Sequence, residues 1–165
     1  MSVVILTGPP GAGKNTIVNI VARRSIKCAV IDADLVRWMI LQPHKAPWEG
    51  EEGRKQQVLG ARNAGMLTRN FVREGYDVLI LDVLSKETAT IYKKELREHK
   101  VKIVLLFPTY EEIVRRNTVR PPRLKDTEVK MLYGHQSRFV HYDEKIDNTN
   151  LSAEEVADKL ISDLL

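Results

Sequence analysis

The first feature of the chain that could do chemistry is a glycine-rich segment with the spacing of a phosphate-binding loop. It lies between an apolar run at residues 3–6 and a helical pattern, the strand, loop and helix order that such loops require. Glycines let consecutive backbone N–H groups turn toward an anion, and the helix N-terminus adds partial positive charge. We predict that this segment binds a nucleoside triphosphate, with the Lys14 charge near the β- and γ-phosphates. The segment reads Gly8-Pro9-Pro10-Gly11-Ala12-Gly13-Lys14-Asn15-Thr16.

Asn15 occupies the position at which this type of loop carries serine or threonine. The hydroxyl of that serine or threonine binds Mg²⁺, whereas asparagine offers an amide oxygen on a longer side chain. We expect Asn15 to be a metal ligand, and we expect its binding of Mg²⁺ to differ from that of the serine or threonine in the usual loop. Thr16 stands one residue too late to take over the role.

Three aspartates follow predicted strands and are expected near the phosphate loop. Asp32 and Asp34 end one apolar run, and residues two apart on an extended segment point the same way. We predict that Asp32 holds Mg²⁺ through water and that Asp34 orients an acceptor hydroxyl and accepts its proton. The alternative is that Asp34 only caps a helix. Asp82 follows another apolar run and is predicted either to hold the metal through water or to be a loop carboxylate.

Positive charge is concentrated between residues 115 and 130, which contain six basic and two acidic residues. Pro121-Pro122 interrupts this stretch, and we predict a lid over residues 115–128. Guanidinium groups can clamp the charge on a transferring phosphoryl group, so Arg116 and Arg120 are predicted to be catalytic, with Arg116 also contacting the nucleotide. The alternative is a solvated basic helix end.

A second irregular segment, within residues 37–54, is predicted to bind the acceptor. Arg37 lies one helical turn beyond Asp34, so the two side chains can share a face of a helix. Arg37 and Arg54 are the predicted substrate-binding cations, together with the Asp34 carboxylate. Trp48 lies in the same segment and is interpreted as a packing residue.

Apolar runs of strand type alternate with helical patterns along the whole chain. The runs are continuous, which is typical of strands covered on both faces. This order predicts parallel strands joined by right-handed crossovers in a three-layer α/β domain, with ligands at the carboxyl ends of the strands. The predicted strands are residues 3–6, 28–31, 78–81, 101–107 and, as a short fifth, 145–147. The clearest predicted helices are residues 51–74, a helix capped by Ser85, and helices capped by Thr109 and Ser152.

The composition places the chain among ordinary globular domains. It has 165 residues, of which 43% are apolar and 29% charged, enough for one domain with a proper core. No apolar run reaches the length of a membrane span and no leader precedes the first strand, so we expect a cytoplasmic protein without a membrane partner. Its one cysteine, Cys28, excludes an internal disulfide. A net charge of +4 suits anionic small molecules and does not identify nucleic acid as a partner.

These motifs together resemble the small P-loop kinases, a family that includes shikimate, gluconate and adenylate kinases and chloramphenicol phosphotransferase. The resemblance covers nearly the whole chain in order: the phosphate loop, Ile31-Asp32-Ala33-Asp34, the basic lid and a closing stretch at residues 147–155. It implies a single domain with a five-stranded parallel sheet of order 2-3-1-4-5. It also implies ATP as phosphate donor and Mg²⁺ as cofactor.

The resemblance further implies roles for individual residues. Asp32 and Asp34 match the segment that serves the metal and the acceptor, and Arg116 matches a lid arginine, as does Arg120. The loop before the final helix lies against the adenine in this family. It is represented here by Asn148 and Thr149.

We therefore interpret the chain as an ATP-dependent kinase for a hydroxyl of a small metabolite, with gluconate- or shikimate-like acceptors as the leading hypothesis. Two alternatives stay open. The basic excess allows a kinase that acts on a nucleic-acid end, and Asn15 allows a nucleotide-binding regulatory protein with weak catalysis. The oligomeric state does not follow from the sequence.

Overall fold

Five parallel strands form the sheet in the computed structural model, which describes residues 1–119 and 123–164. The strands are β1 (Ser2–Thr7), β2 (Cys28–Asp32), β3 (Asp77–Leu81), β4 (Lys100–Leu106) and β5 (Glu144–Ile146). Their order is β2-β3-β1-β4-β5, which confirms the predicted topology. Ile5 pairs with Ile80 of β3 on one side and with Ile103 of β4 on the other. The central strand β1 therefore leads directly into the glycine-rich loop.

Helices follow the strands in the alternating order that was predicted. They are α1 (Lys14–Arg24), α2 (Ala33–Arg37), α3 (Gly50–Arg73), α4 (Lys86–Glu95), α5 (Tyr110–Thr118), α6 (Asp126–Ser137) and α7 (Ala153–Leu164). The predicted caps at Ser85, Thr109 and Ser152 each accept a hydrogen bond from a backbone N–H three residues on. Helix α6 was not predicted, because its first turn falls within the segment interpreted as a lid. In the described part of the chain, no helix has the length and apolar character needed to cross a membrane.

Two apolar clusters cover the two faces of the sheet. Val4 and Leu6 of β1 pack with α1, α5, α6 and α7, whereas Ile5 packs with α2, α3 and α4 on the other face. Successive strand residues point to opposite faces, so a strand buried on both sides needs continuous apolar residues. The continuous runs in the sequence therefore reflect burial between two helical layers.

Helix α3 packs in close contact with the segment that precedes it. A Cβ atom on Gly53 would lie 1.9 Å from the backbone oxygen of Ala46 and 3.4 Å from the backbone carbon of Pro47. A helix normally disfavours glycine by about 1 kcal/mol relative to alanine. Here the missing side chain lets the backbone at residues 46–47 lie directly on the helix.

We expect Gly53→Ala to push residues 46–48 away from α3 and to lower stability by about 1–3 kcal/mol, because the added methyl group would overlap a backbone carbonyl. Thermal unfolding followed by circular dichroism measures the effect. Gly60→Ala in the same helix is the matched control, since its Cβ would meet Arg37 Cβ at 3.6 Å, an ordinary contact. Equal melting temperatures for the two variants would contradict the expectation.

Candidate active site

The phosphate loop connects the end of β1 to the first turn of α1. Gly8, Gly11 and Gly13 have φ angles of 142°, 88° and 91°, which residues with a side chain rarely adopt. A Cβ atom on Gly8 would also lie 2.2 Å from the backbone oxygen of Leu106 in β4. Glycine is therefore required at Gly8 both by the backbone conformation and by the neighbouring strand.

The predicted phosphate-binding lysine lies on this loop. Lys14 Nζ donates hydrogen bonds to Gly8 O at 2.7 Å and to Pro9 O at 3.2 Å. Backbone carbonyls thus position the ammonium group beside the glycines. Asn15 and Thr16 follow on the first turn of α1, and both are exposed to solvent.

Arg116 extends from α5 to the phosphate loop. Its Nη1 lies 3.4 Å from Ala12 O, and its Nη2 donates to Asn148 O at 3.0 Å. Its Nε donates to Glu112 at 2.7 Å, which holds the guanidinium in place. The structure thus brings one predicted lid arginine to the loop, while the other, Arg120, lies outside the described residues.

Asn148 and Thr149 lie beside the phosphate loop with their side chains bonded to protein groups. Asn148 Nδ2 donates to Ala12 O at 2.8 Å, and the buried Asn148 Oδ1 has no hydrogen-bond partner among residues 1–119 and 123–164. Thr149 Oγ1 accepts a hydrogen bond from Thr109 N at 2.8 Å and bonds to Asp147 Oδ1. Asn148 therefore supports the phosphate loop, and Thr149 connects the segment between β5 and α7 to the start of α5.

A cavity of ≈ 700 Å³ opens beside the phosphate loop, with Pro10 at its edge. One wall comes from α2, α3 and the segment between them, and another from α6 and the residues after it. The connection from β3 to α4 forms a third side. The predicted acceptor residues Asp34, Arg37 and Arg54 all line this cavity, and so does Trp48.

Asp34 and Arg37 form an ion pair on α2, with Arg37 Nη2 3.1 Å from Asp34 Oδ1. The expectation that Asp32 and Asp34 share an extended segment is wrong, because α2 begins at Ala33. Asp32 caps this helix, and its Oδ1 accepts a hydrogen bond from Asp34 N at 2.9 Å. The capping role that was considered for Asp34 thus belongs to Asp32, and the Asp34 side chain remains 58% exposed at the cavity.

Arg54 is engaged in a two-point ion pair. Its Nη1 donates to both carboxylate oxygens of Glu87, at 2.7 and 2.9 Å. This pair connects α3 to α4 at the exposed side of the cavity. The charge of Arg54 is therefore already balanced by Glu87.

Asp82 is buried at the end of β3 and lines the cavity. Its Oδ2 accepts a hydrogen bond from the hydroxyl of Tyr92, at 3.0 Å. Burial, followed by the charge of Asp34, raises the pKa of Asp82 to about 7, although the Tyr92 hydrogen bond acts in the opposite direction. Asp82 therefore exists partly as a neutral acid near neutral pH, which weakens it as a metal-holding carboxylate.

A buried hydrogen-bond network joins the last residue of β1, which precedes the phosphate loop, to α6, and sequence reasoning missed it. Thr7 Oγ1 accepts a hydrogen bond from Leu84 N at 2.9 Å and donates to Gln136 Oε1 at 3.2 Å. Gln136 Nε2 completes the network by donating to Leu84 O at 2.9 Å. A glutamine in a helix is ordinarily a solvent residue, so no sequence signal marked Gln136.

The side chains that were predicted to hold the metal carry oxygen atoms of the kind that Mg²⁺ accepts. The set consists of the amide oxygen of Asn15 and the carboxylates of Asp32 and Asp82. Mg²⁺ typically takes one or two such protein oxygens and completes its shell with water and substrate phosphates. In the described part of the chain, no cluster of three or more histidine, cysteine, aspartate or glutamate side chains could hold a metal unaided. A magnesium ion bound together with a polyphosphate is compatible with this donor set.

Comparison with known proteins places the chain in a family. A family model described as chloramphenicol phosphotransferase-like protein matches residues 1–164. No curated protein matches the chain in sequence.

Several solved structures share the fold over nearly the whole chain. A tunicamycin resistance protein from Deinococcus radiodurans has 14% identity and a TM-score of 0.74, covering 99% of this chain and 95% of that one. An APS kinase from Mycobacterium tuberculosis, in complex with AMPPNP and APS, has 18% identity and a TM-score of 0.74, covering 99% and 96%. A shikimate kinase from Bacteroides thetaiotaomicron has 18% identity and a TM-score of 0.66, covering 99% and 98%. At these identities the likeness establishes the fold alone.

The raised pKa of Asp82 predicts a stability cost that grows with pH. The unfolded carboxyl loses its proton near its ordinary pKa of 3.8, whereas the folded one keeps it until about pH 7. Folding stability should therefore fall between about pH 4 and pH 7, by up to about 4 kcal/mol from this group. Urea unfolding across this range should show a flatter pH profile for Asp82→Asn than for the parent.

A Tyr92→Phe variant is the companion measurement. Because the Tyr92 hydrogen bond lowers the pKa of Asp82, its removal should move that pKa above about 7. Carboxyl-carbon NMR titration reports the pKa directly. An Asp82 pKa near 4 in the parent protein would contradict both expectations.

Proposed function

The chain belongs to the chloramphenicol phosphotransferase-like family, and on this premise we propose that it transfers the γ-phosphoryl group of ATP to a hydroxyl of a small molecule. One juxtaposition carries the proposal. The phosphate loop, with Lys14 on it, opens at Pro10 onto a cavity that also contains the Asp34–Arg37 pair. A donor site and an acceptor site thus adjoin each other, as phosphoryl transfer requires.

Asp34 would receive the proton of the acceptor hydroxyl. As the acceptor oxygen bonds to the γ-phosphorus, the bond from that phosphorus to the β–γ bridging oxygen breaks and ADP leaves. Arg37 keeps the Asp34 carboxylate oriented through their 3.1 Å contact, and half of the Asp34 side chain remains open to an incoming hydroxyl. Proton acceptance by a positioned carboxylate is a standard contribution to such a reaction.

Lys14 and Arg116 would stabilise the negative charge of the triphosphate and of the transferring group. Both side chains already lie on the phosphate loop, at hydrogen-bond distance from its backbone carbonyls. Cations that are already fixed in this way lose little conformational entropy when the ligand binds, so their charge is available where negative charge develops. Arg120 is proposed as a further lid cation on its sequence position alone.

Asn15 and Asp32 are the residues that would hold Mg²⁺, Asp32 through water. When bound, the metal would supply positive charge that neutralises part of the negative charge of the phosphates. Asp82 is the weaker of the proposed ligands, because its carboxyl is partly protonated near pH 7. Asp32 in turn must serve the metal while it caps α2.

The relatives support a small acceptor of varied chemistry. One structural neighbour is a shikimate kinase, and another was solved in complex with AMPPNP and APS. ATP as the donor of this chain is a proposal that rests on that bound AMPPNP and on the family. A screen of hydroxylated compounds, gluconate and shikimate included, with γ-labelled ATP tests the function. Transfer of label to a small molecule supports it, whereas transfer only to oligonucleotide ends would favour the alternative.

We expect Lys14→Ala to lower phosphoryl transfer by about 10²–10³-fold, because the charge that faces the β- and γ-phosphates is lost. Steady-state turnover with the best acceptor from the screen measures the effect. Lys93→Ala, which removes an exposed lysine of α4, is the control and should leave turnover unchanged. Parent-like turnover in the Lys14 variant would refute its assigned role.

Asn15 favours one rival function, a nucleotide-binding regulatory protein with weak catalysis. Restoring the usual hydroxyl with Asn15→Ser should raise affinity for Mg²⁺ if the amide is a poorer ligand. The measurement is ATP turnover across a magnesium titration, for parent and variant side by side. A parent that turns over at about 1–100 per second, the ordinary range for kinases, would eliminate the regulatory interpretation.

A further inference from the structure

We propose that the acceptor is a hydroxylated compound with an apolar, ring-sized body and an anionic group, and that Arg138, whose guanidinium can bind a carboxylate at two points, contributes most to selecting the anion. This inference rests on the proposed function, since it names the substrate class of the same cavity. It is carried by the charge balance and the wall composition of the cavity beside the phosphate loop.

The charges that line the cavity do not balance. The lining residues include four permanent cations, Arg37, Arg54, Lys86 and Arg138, and three carboxyl groups, Asp34, Asp82 and Glu87. Two pairs neutralise each other, because Arg37 contacts Asp34 and Arg54 contacts Glu87.

Lys86 and Arg138 are left opposite a single carboxyl group. That group is Asp82, which is buried and accepts a hydrogen bond from the hydroxyl of Tyr92. Within the described part of the chain, neither Lys86 nor Arg138 forms an ion pair. The cavity therefore presents a net positive charge, which an anionic group on the ligand would neutralise.

Arg37 adds a second sign that an oxygen-bearing ligand belongs here. Its side chain is only 12% exposed, and its Nε has no hydrogen-bond partner among the described residues. A buried N–H without a partner costs about 1–3 kcal/mol. A small rotation of this guanidinium toward a ligand oxygen in the cavity would remove that cost.

Much of the remaining wall is apolar or aromatic, although polar side chains also line it, namely Gln57, Ser85, His135, Gln136 and His141. Trp48 and Phe139 line the cavity from different elements, and Leu132 of α6 and Pro47 add further apolar surface. Phe139 is 6% exposed and so belongs to a fixed wall. A polyol would leave this surface wetted, whereas a ring would cover it, so the wall favours a ligand with an apolar body.

The volume agrees with this choice. A cavity of ≈ 700 Å³ falls in the middle of the range for sites that hold drug-sized ligands, about 300–1,000 Å³. Gluconate and shikimate, the two acceptors expected from the sequence, both carry an anionic group. Gluconate, however, lacks the apolar body.

Three small probes separate the two features of the ligand. 4-(Hydroxymethyl)benzoate has the ring and the anion, its methyl ester has only the ring, and gluconate has only the anion. Ligand-observed NMR on the full chain, with and without AMPPNP, measures their dissociation constants. We expect the benzoate to bind about tenfold more tightly than either of the others, since it alone makes both a charge-assisted and an apolar contact.

Variants assign the preference to the proposed side chains. Arg138→Gln should bring the affinities of the acid and its ester to near equality, and Trp48→Ala should weaken both ring compounds while leaving gluconate unchanged. Arg73→Gln, at the exposed end of α3, is the matched control and should keep the parent pattern. Thermal unfolding checks that each variant is folded.

The outcomes separate this inference from the proposed function. Equal binding of acid and ester, tightest binding of gluconate, an acid preference that survives in Arg138→Gln, or no saturable binding of any probe would overturn the inference. Phosphoryl transfer is followed independently by phosphorus NMR with MgATP. Selective binding of the benzoate without transfer to it or to any other hydroxyl would count against the function, while the class of ligand that the cavity binds would still stand.

Discussion

The turn at Gly8, where the central strand ends against its neighbour, is the constraint on which the site depends. The backbone oxygen of Leu106 lies where a side chain would begin, and the φ angle of 142° admits little besides glycine. This turn directs the following amides and Lys14 around one point at the carboxyl edge of the sheet. Because parallel strands all end at that edge, Asp32, Asp82 and the Asn148 loop reach the same region without long connections.

The cavity beside the phosphate loop is organised by charge compensation. Ion pairs on α2 and between α3 and α4 neutralise most of the lining charges, and burial suppresses the charge of Asp82 near neutral pH. Such pairing lets a cavity hold many ionisable groups without repelling its own walls. The cations that no carboxylate neutralises then indicate the charge of the ligand that the cavity would bind.

The fold and the position of the glycine-rich loop could be predicted because their signals are local. The glycine spacing, the continuous apolar runs and the helix caps each depend on residues within a few positions, and the sheet order followed from the resemblance. The arrangement of the residues around the cavity was harder to predict from the sequence. The start of α2 was misplaced because Asp32 could either extend a strand or cap a helix, and only the fold decides between these. Gln136 could not be found, since its partner Thr7 lies 129 residues away.

The network of Thr7, Leu84 and Gln136 has a consequence for how a donor and an acceptor would bind. It joins the strand before the phosphate loop, the β3–α4 connection and the wall helix α6 by buried hydrogen bonds. A ligand that rigidifies one end of the network would reduce the conformational entropy that is lost when a second ligand binds at the other end. This is positive cooperativity without a change of shape. Thermodynamic linkage makes such an effect equal in both directions, so donor and acceptor would each tighten the binding of the other.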